Sequence, residues 1–351
     1  MKYNYILLAD SRFISYAISE LRERLSIKDR VKTMALGRGI YLAEIAVEPK
    51  VAFEALKLST FSDGVIPIVD IVERPQSVDE LKERVSRCAA KGEPFRIELI
   101  SLGAKRGVSA KDTEVKIGKE MESLGFTVSL KSPQRIVYII IGEGISVIAS
   151  AKSTELADLV VDHFRLENPN HDTVNRAEVK IKEAFAAFKI NDAKIENCID
   201  VGASPGGWTN FMVKRGAKVV AIDRGVLEYD KLSTKDVKVI EKVEDYVEGS
   251  AVLHMRLNLD EATVFPFKKE SYDLLAIDTN TDYIESSKIA NALAAYVKHG
   301  GFLIMTLKLP KISDAGRLYM VNEALKSEYG VERIKKLHHN RMELTLFARR
   351  L

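Results

Sequence analysis

The residues best suited to chemistry lie in the run Cys198-Ile199-Asp200-Val201-Gly202-Ala203-Ser204-Pro205-Gly206-Gly207-Trp208-Thr209. An apolar strand enters a glycine turn and leaves it as a helix. Glycines let a ligand approach the backbone closely at the carboxyl edge of a sheet, beside a helix N-terminus. The candidate contacts are Asp200, Gly202, Ala203, Ser204, Pro205, Gly206, Gly207 and Trp208. The next strand ends at Ile222-Asp223, where an acid can accept hydrogen bonds from a ribose diol. The turn lacks the Gly-Lys-Ser/Thr of a P-loop and the spacing of the G-x-G-x-x-G fingerprint. Tight β–α turns also need glycine for steric reasons alone, so the turn by itself leaves a structural role open.

Such a turn must be held by alternating strands and helices. From about residue 173 that rhythm predicts strands at 198–203, 218–223, 251–257, 273–278, 302–308, 332–338 and 342–348. Helices are expected at 174–189, 208–215, 284–298 and 314–328. The alternation implies an α/β fold with a mostly parallel seven-stranded sheet covered on both faces. Only a short turn near Asn340 joins the last two strands, so they must pair antiparallel. A parallel sheet closed by an antiparallel strand is the methyltransferase variant of the Rossmann-like, doubly wound fold.

Two α+β modules precede this domain, at 1–75 and 76–152, with 153–172 as a linker containing the break Asn168-Pro169-Asn170. In the first, Tyr5–Ala9 and Ile40–Val47 read as strands and Val65–Val72 as a β-branched run closed by Pro75; Phe13–Leu25 and Val51–Leu58 read as helices. In the second, Ser77 and Glu80 form a capping box for a helix through Ala90. A further helix spans Ser109–Leu124, and strands are expected at Phe95–Ser101, Thr127–Leu130, Ile136–Ile141 and Ile145–Ala149.

Composition narrows the function classes. At 46% hydrophobic and 29% charged residues the chain is not disordered, and no run approaches the roughly 20 apolar residues of a membrane span. The apolar core at the N-terminus is too short for a signal peptide. Cys88 and Cys198 alone exclude a disulfide framework or a cysteine-built zinc site, and imply a reducing, cytoplasmic setting. Gln occurs only at Gln76 and Gln134 beside dense Lys and Glu, a thermophile-like balance. The net charge of +3 permits nucleic acid as a partner without announcing it.

The segment Asp200–Thr209 closely resembles the S-adenosylmethionine loop of the FtsJ/RrmJ-like ribose 2′-O-methyltransferases, nearest the RlmM-like type joined to a THUMP domain. The resemblance covers roughly residues 174–349. It implies S-adenosyl-L-methionine as cofactor, held by the 200–208 run with Asp223, Asn258 and Asp278; Asp260 is a second candidate near the adenine end. It also implies a Lys–Asp–Lys–Glu tetrad. Lys180 fits the first position within Asn175–Glu183, and Asp278 ends the strand Tyr272–Asp278. Lys308 ends the strand after Gly300-Gly301, and Glu343 stands on the final strand. Thr279-Asn280-Thr281 follows Asp278 where many relatives carry a proline, a departure in the substrate-side loop.

The implied chemistry needs this set. A ribose 2′-hydroxyl is a poor nucleophile until its proton leaves, and it must lie in line with the methyl group. Lys308 is assigned to the hydroxyl, either as a base of lowered pKa or as a polarising ammonium. Asp278 and Lys180 orient it and Glu343 holds the lysines. No metal is required, and the six histidines are scattered.

Segment 76–152 resembles a THUMP domain, and 1–75 the ferredoxin-like module that commonly precedes one. The resemblance implies capture of structured RNA, with tRNA favoured and rRNA admitted. Arg96, Lys105, Arg106, Lys111, Lys116, Lys119, Lys131 and Arg135 are the expected phosphate-contacting face. Taken singly, each reads as well as a solvated charge beside Glu114, Glu120 or Glu122. The expected function is RNA ribose 2′-O-methylation, on tRNA. The alternatives are 23S rRNA as substrate, or a catalytically inactive RNA-binding protein, against which the complete tetrad argues.

Overall fold

The computed structural model describes residues 3–28, 31–72, 77–102, 109–156, 174–191, 194–257 and 265–351. Lys105, Arg106, Asn258, Asp260, Pro75 and the break Asn168-Pro169-Asn170 lie outside the described residues. The chain divides into two compact units, Met1–Leu166 and Glu167–Leu351.

The first unit opens with β1 (Tyr5–Ala9), α1 (Ile14–Arg24), β2 (Lys32–Gly37), β3 (Ile40–Glu44), α2 (Pro49–Leu56) and β4 (Ser62–Val72). It continues with α3 (Val78–Ser86), β5 (Phe95–Ser101), α4 (Ala110–Ser123), β6 (Arg135–Ile141) and β7 (Ser146–Lys152). The strands form one sheet in the order β2-β3-β1-β4-β7-β6-β5. The two expected modules therefore share a sheet, joined through the long strand β4. Its first half pairs with β1, and Ile68–Val72 pair with β7. The Ser77–Glu80 capping box is present at α3. Two elements differ from expectation. Strand β2 lies at the sheet edge and is largely exposed, so it shows no apolar alternation. The expected strand Thr127–Leu130 is reduced to a single bridge between Val128 and Phe95.

The second unit contains α5 (Arg176–Phe188), β8 (Asn197–Val201), α6 (Gly207–Val213), β9 (Lys218–Ile222), β10 (Val237–Ile240), β11 (Val252–Met255) and β12 (Tyr272–Ile277). Then follow α7 (Tyr283–Leu293), β13 (Val297–Lys308), α8 (Tyr319–Leu325), β14 (Tyr329–Lys335) and β15 (Glu343–Arg350). The sheet order is β10-β11-β9-β8-β12-β13-β15-β14. All strands run parallel except β15, which is antiparallel to both neighbours. This is the Rossmann-like methyltransferase fold, with eight strands in place of the expected seven. The extra strand, β10, is four residues on the outer edge, too short for periodicity to mark it. The expected helix 314–328 is split into a 3₁₀ segment at Ile312–Arg317 and α8. Among the described residues no helix is long and apolar enough to cross a membrane.

Candidate active site

The glycine turn sits where β8, β9 and β12 end. Gly202 adopts φ +77°, and its N–H donates to the Ile222 carbonyl at 3.0 Å. A Cβ at Gly202 would stand 2.6 Å from the Asp278 carbonyl oxygen, so only glycine lets the turn lie against β12. The Ser204-Pro205 peptide is cis. The turn opens on a cleft of about 400 Å³, whose lining includes Gly202, Ser204, Trp208, Asp223, Asp278 and Lys308. Ala203 and Gly207 also line it. Asp200, Pro205 and Gly206 are not among its lining residues. Pro205 accepts a bond from Glu228 N at 2.8 Å, and Gly206 accepts one from Asn210 N at 2.8 Å.

Asp200 is almost fully buried. Thr209 Oγ1 donates to its Oδ2 at 2.6 Å. Burial, reinforced by the nearby Asp278 and Asp223 charges against the Thr209 bond, pushes its carboxyl up to about 7. Asp223 lies on the cleft wall, accepting from Ser204 N at 3.0 Å and from Gly225 N at 2.7 Å.

Lys180, Asp278, Lys308 and Glu343 come together in a closed ring of ion pairs. Lys180 Nζ lies 2.9 Å from Asp278 Oδ2 and 2.8 Å from Glu343 Oε1. Lys308 Nζ lies 3.2 Å from Asp278 Oδ1 and is hydrogen-bonded to Glu343 Oε2. Thr306 Oγ1 also donates to Asp278 Oδ1, at 2.6 Å. Burial raises the Asp278 and Glu343 carboxyls, but the two lysines outweigh it and hold both below the usual range. Burial lowers Lys308, but Asp278 and Glu343 outweigh it and keep the ammonium above its ordinary value. Lys308 has the most exposed side chain of the four, at 25%, and alone of the two lysines lines the cleft.

Each member is placed by a different element. The antiparallel register of β13 and β15 sets Lys308 directly opposite Glu343, and Asp278 follows β12. Lys180 depends on α5, which two residues fasten to the glycine turn. Asn175 Oδ1 caps α5 by accepting from Ala177 N at 2.9 Å, and a Cβ at Gly207 would meet that oxygen at 2.2 Å. Buried Glu178 accepts from Val174 N, Asn210 Nδ2 and Lys214 Nζ, at 2.8, 3.1 and 2.7 Å. The cap at Asn175 was open to a sequence reading by residue type; nothing in the sequence marks Glu178 as buried.

The expected RNA face holds only in part. Lys111, Lys116, Lys119 and Lys131 are exposed. Arg96 is not: it is 6% exposed and pairs with Glu98 at 2.8 Å, because both point to the same covered face of β5. Arg135 is half-buried and bound to Glu93 at 2.9 Å.

Comparison with known proteins matches part of the chain to a family. Residues 173–292 match the FtsJ-like methyltransferase family. The chain is 29% identical over 194 residues to ribosomal RNA large subunit methyltransferase M of Shewanella denitrificans, covering 50% of this chain and 46% of that protein. For the protein of the same name from Shewanella sp. MR-7 the figures are 25% over 305 residues, 81% and 74%. The chain thus spans about half the length of the first of these relatives. TrmN from Thermus thermophilus aligns over 99% of both chains at 12% identity, with a TM-score of 0.39. The cofactor of the FtsJ-like methyltransferase domain is S-adenosylmethionine.

Proposed function

We infer that this chain is an RNA ribose 2′-O-methyltransferase. The observation that carries the reading is the closed ring of Lys180, Asp278, Lys308 and Glu343, with Lys308 opening onto a cleft that the glycine turn borders. The cleft suits a cationic nucleoside cofactor. The Asp223 carboxylate stands at the cleft wall for a ribose diol. Bound S-adenosylmethionine supplies an electrophilic sulfonium methyl.

The chain's own residues do the rest. Asp278 and Glu343 each bridge both lysines, so four opposite charges neutralise one another and fix Lys308 in place. Those pairs hold Lys308 as an ammonium at rest, so its first task is to donate to the 2′-oxygen and stabilise the charge that develops there. The hydroxyl's own proton must also leave as the O–C bond forms and the S–C bond breaks; Lys308 accepts it only after shedding its own proton to solvent. The exposed lysines of α4, with Lys131, support a phosphate-contacting surface in a THUMP-like segment spanning 76–152. The names of the relatives favour large-subunit rRNA as substrate, whereas the THUMP resemblance favours tRNA.

The test is mapping of ribose methylation after incubating the protein and labelled cofactor with total RNA. Label at a ribose in either RNA class supports the reading, and its location chooses between them. Label on a base, or none, overturns it. Lys308→Ala should lower transfer by roughly 10²–10⁴-fold while cofactor binding persists.

A further inference from the structure

His254 on β11 is fully buried, between the apolar Leu253 and Met255, yet its ring makes two polar contacts. Its Nε2 lies 3.2 Å from the main-chain oxygen of Asp223, and its Nδ1 lies 2.7 Å from the Tyr229 hydroxyl. A carbonyl oxygen only accepts, so Nε2 carries the hydrogen. Burial lowers the histidine's pKa, the ring is neutral, and Nδ1 accepts the Tyr229 hydroxyl proton. The tautomer is fixed from both ends.

The segment that carries Tyr229 is itself fastened to the glycine turn. Glu228 N donates to Pro205 O at 2.8 Å, and Ser204 Oγ donates to Val226 O at 3.0 Å. Leu227 and Leu232 are buried close to Gly206. Residues 223–232 therefore run as a strap from Asp223 across the turn and back to β11 through Tyr229. Asp223 is held at four points: both carboxylate oxygens accept backbone N–H groups, its N–H donates to Met255 O at 3.2 Å, and its carbonyl accepts from His254.

We propose that His254 and Tyr229 are a positioning pair that holds Asp223, and with it the strap, in the orientation that receives the cofactor's ribose diol. The pair touches no reacting atom; it acts through Asp223. This rests on the reading of Asp223 as the ribose-binding group, and the experiment separates the two. Calorimetry with S-adenosylmethionine on the full chain compares wild type, Asp223→Ala, Tyr229→Phe, His254→Phe and His254→Gln, with a thermal melt of each. If Asp223→Ala binds as tightly as wild type, the ribose reading fails and the pair has nothing to position. If Asp223→Ala loses binding, Tyr229→Phe is expected to weaken affinity by about tenfold, the scale of one lost buried hydrogen bond. In transfer assays that loss should fall on KM for the cofactor far more than on kcat. His254→Gln keeps an N–H for the Asp223 carbonyl and should bind more tightly than His254→Phe. The double variant Tyr229→Phe/His254→Phe should bind no more weakly than His254→Phe alone, because the two act as one unit. Tyr229→Phe is the deciding variant, because it removes one oxygen from a half-buried side chain and spares the core. Affinity of Tyr229→Phe within about twofold of wild type, whether or not its melting temperature falls, overturns the proposal.

Discussion

Gly202→Ala is the substitution whose consequences reach furthest. The new methyl would stand 2.6 Å from the Asp278 carbonyl oxygen, 2.9 Å from its carbonyl carbon and 3.0 Å from Thr279 N. All three are backbone atoms, so no flexible side chain can swing aside. Restoring ordinary contact near 3.4 Å requires Asp278 to retreat by about 0.8 Å. Two penalties add in the folded state. Alanine at φ +77° costs about 1–2 kcal/mol, and overpacking at a close contact about 1–3 kcal/mol. A total of about 2–5 kcal/mol lowers the melting temperature of a unit this size by roughly 4–20 °C. The catalytic effect is larger than stability accounts for, because the displaced residue carries the carboxylate that holds both Lys180 and Lys308. A displacement approaching 1 Å at reacting groups costs on the order of 10²-fold in rate. Single-turnover methyl transfer at a temperature well below the melt isolates that term. A variant that melts lower but turns over normally would refute the coupling of the glycine turn to the tetrad. One that melts and turns over like wild type would refute the steric argument itself.

Asp200 predicts a pH dependence of stability. Its carboxyl is raised to about 7, so it becomes a carboxylate as pH rises through that value. A folded-state pKa above the unfolded value favours folding at low pH, so this group's contribution is full below about 4 and is lost as pH rises through about 7. Asp200→Asn should remove that component from melts taken across the range. On the RNA side, replacing Lys111, Lys116, Lys119 and Lys131 with Gln should weaken RNA binding and flatten its salt dependence by about one unit of slope per lost phosphate contact. An unchanged slope in a gel-shift titration would assign those lysines to a solvated surface.

The four tetrad positions come from the family resemblance, which places one before the turn, two at strand ends and one on the closing strand; the structure brings these four side chains together. Strand periodicity located those ends to within a few residues, and the β13–β15 register does the remainder by facing Lys308 with Glu343. What escaped was decided by burial that periodicity does not encode. Arg96 has the type of a phosphate contact, but the second face of β5 is covered, and the ion pair with Glu98 makes that burial tolerable. Glu178 looks like an ordinary helix-surface acid until α5 packs on α6 and three donors close around it. The clasp of Tyr229 and His254 joins residues 25 positions apart across a strap with no regular structure of its own beyond one 3₁₀ turn. The edge strands β2 and β10 escaped for the opposite reason: too little of each is buried to leave a pattern.

The position of β15 has a consequence for how the chain comes to be active. It is the last strand in sequence but sits inside the sheet, between β13 and β14. Until it inserts, β13 presents an open edge and β14 has no strand beside it, so an incompletely folded chain exposes strand-pairing surface. The same insertion delivers Glu343, without which the two lysines face one carboxylate. Closure of the sheet and completion of the four-membered ring of ion pairs are thus one event.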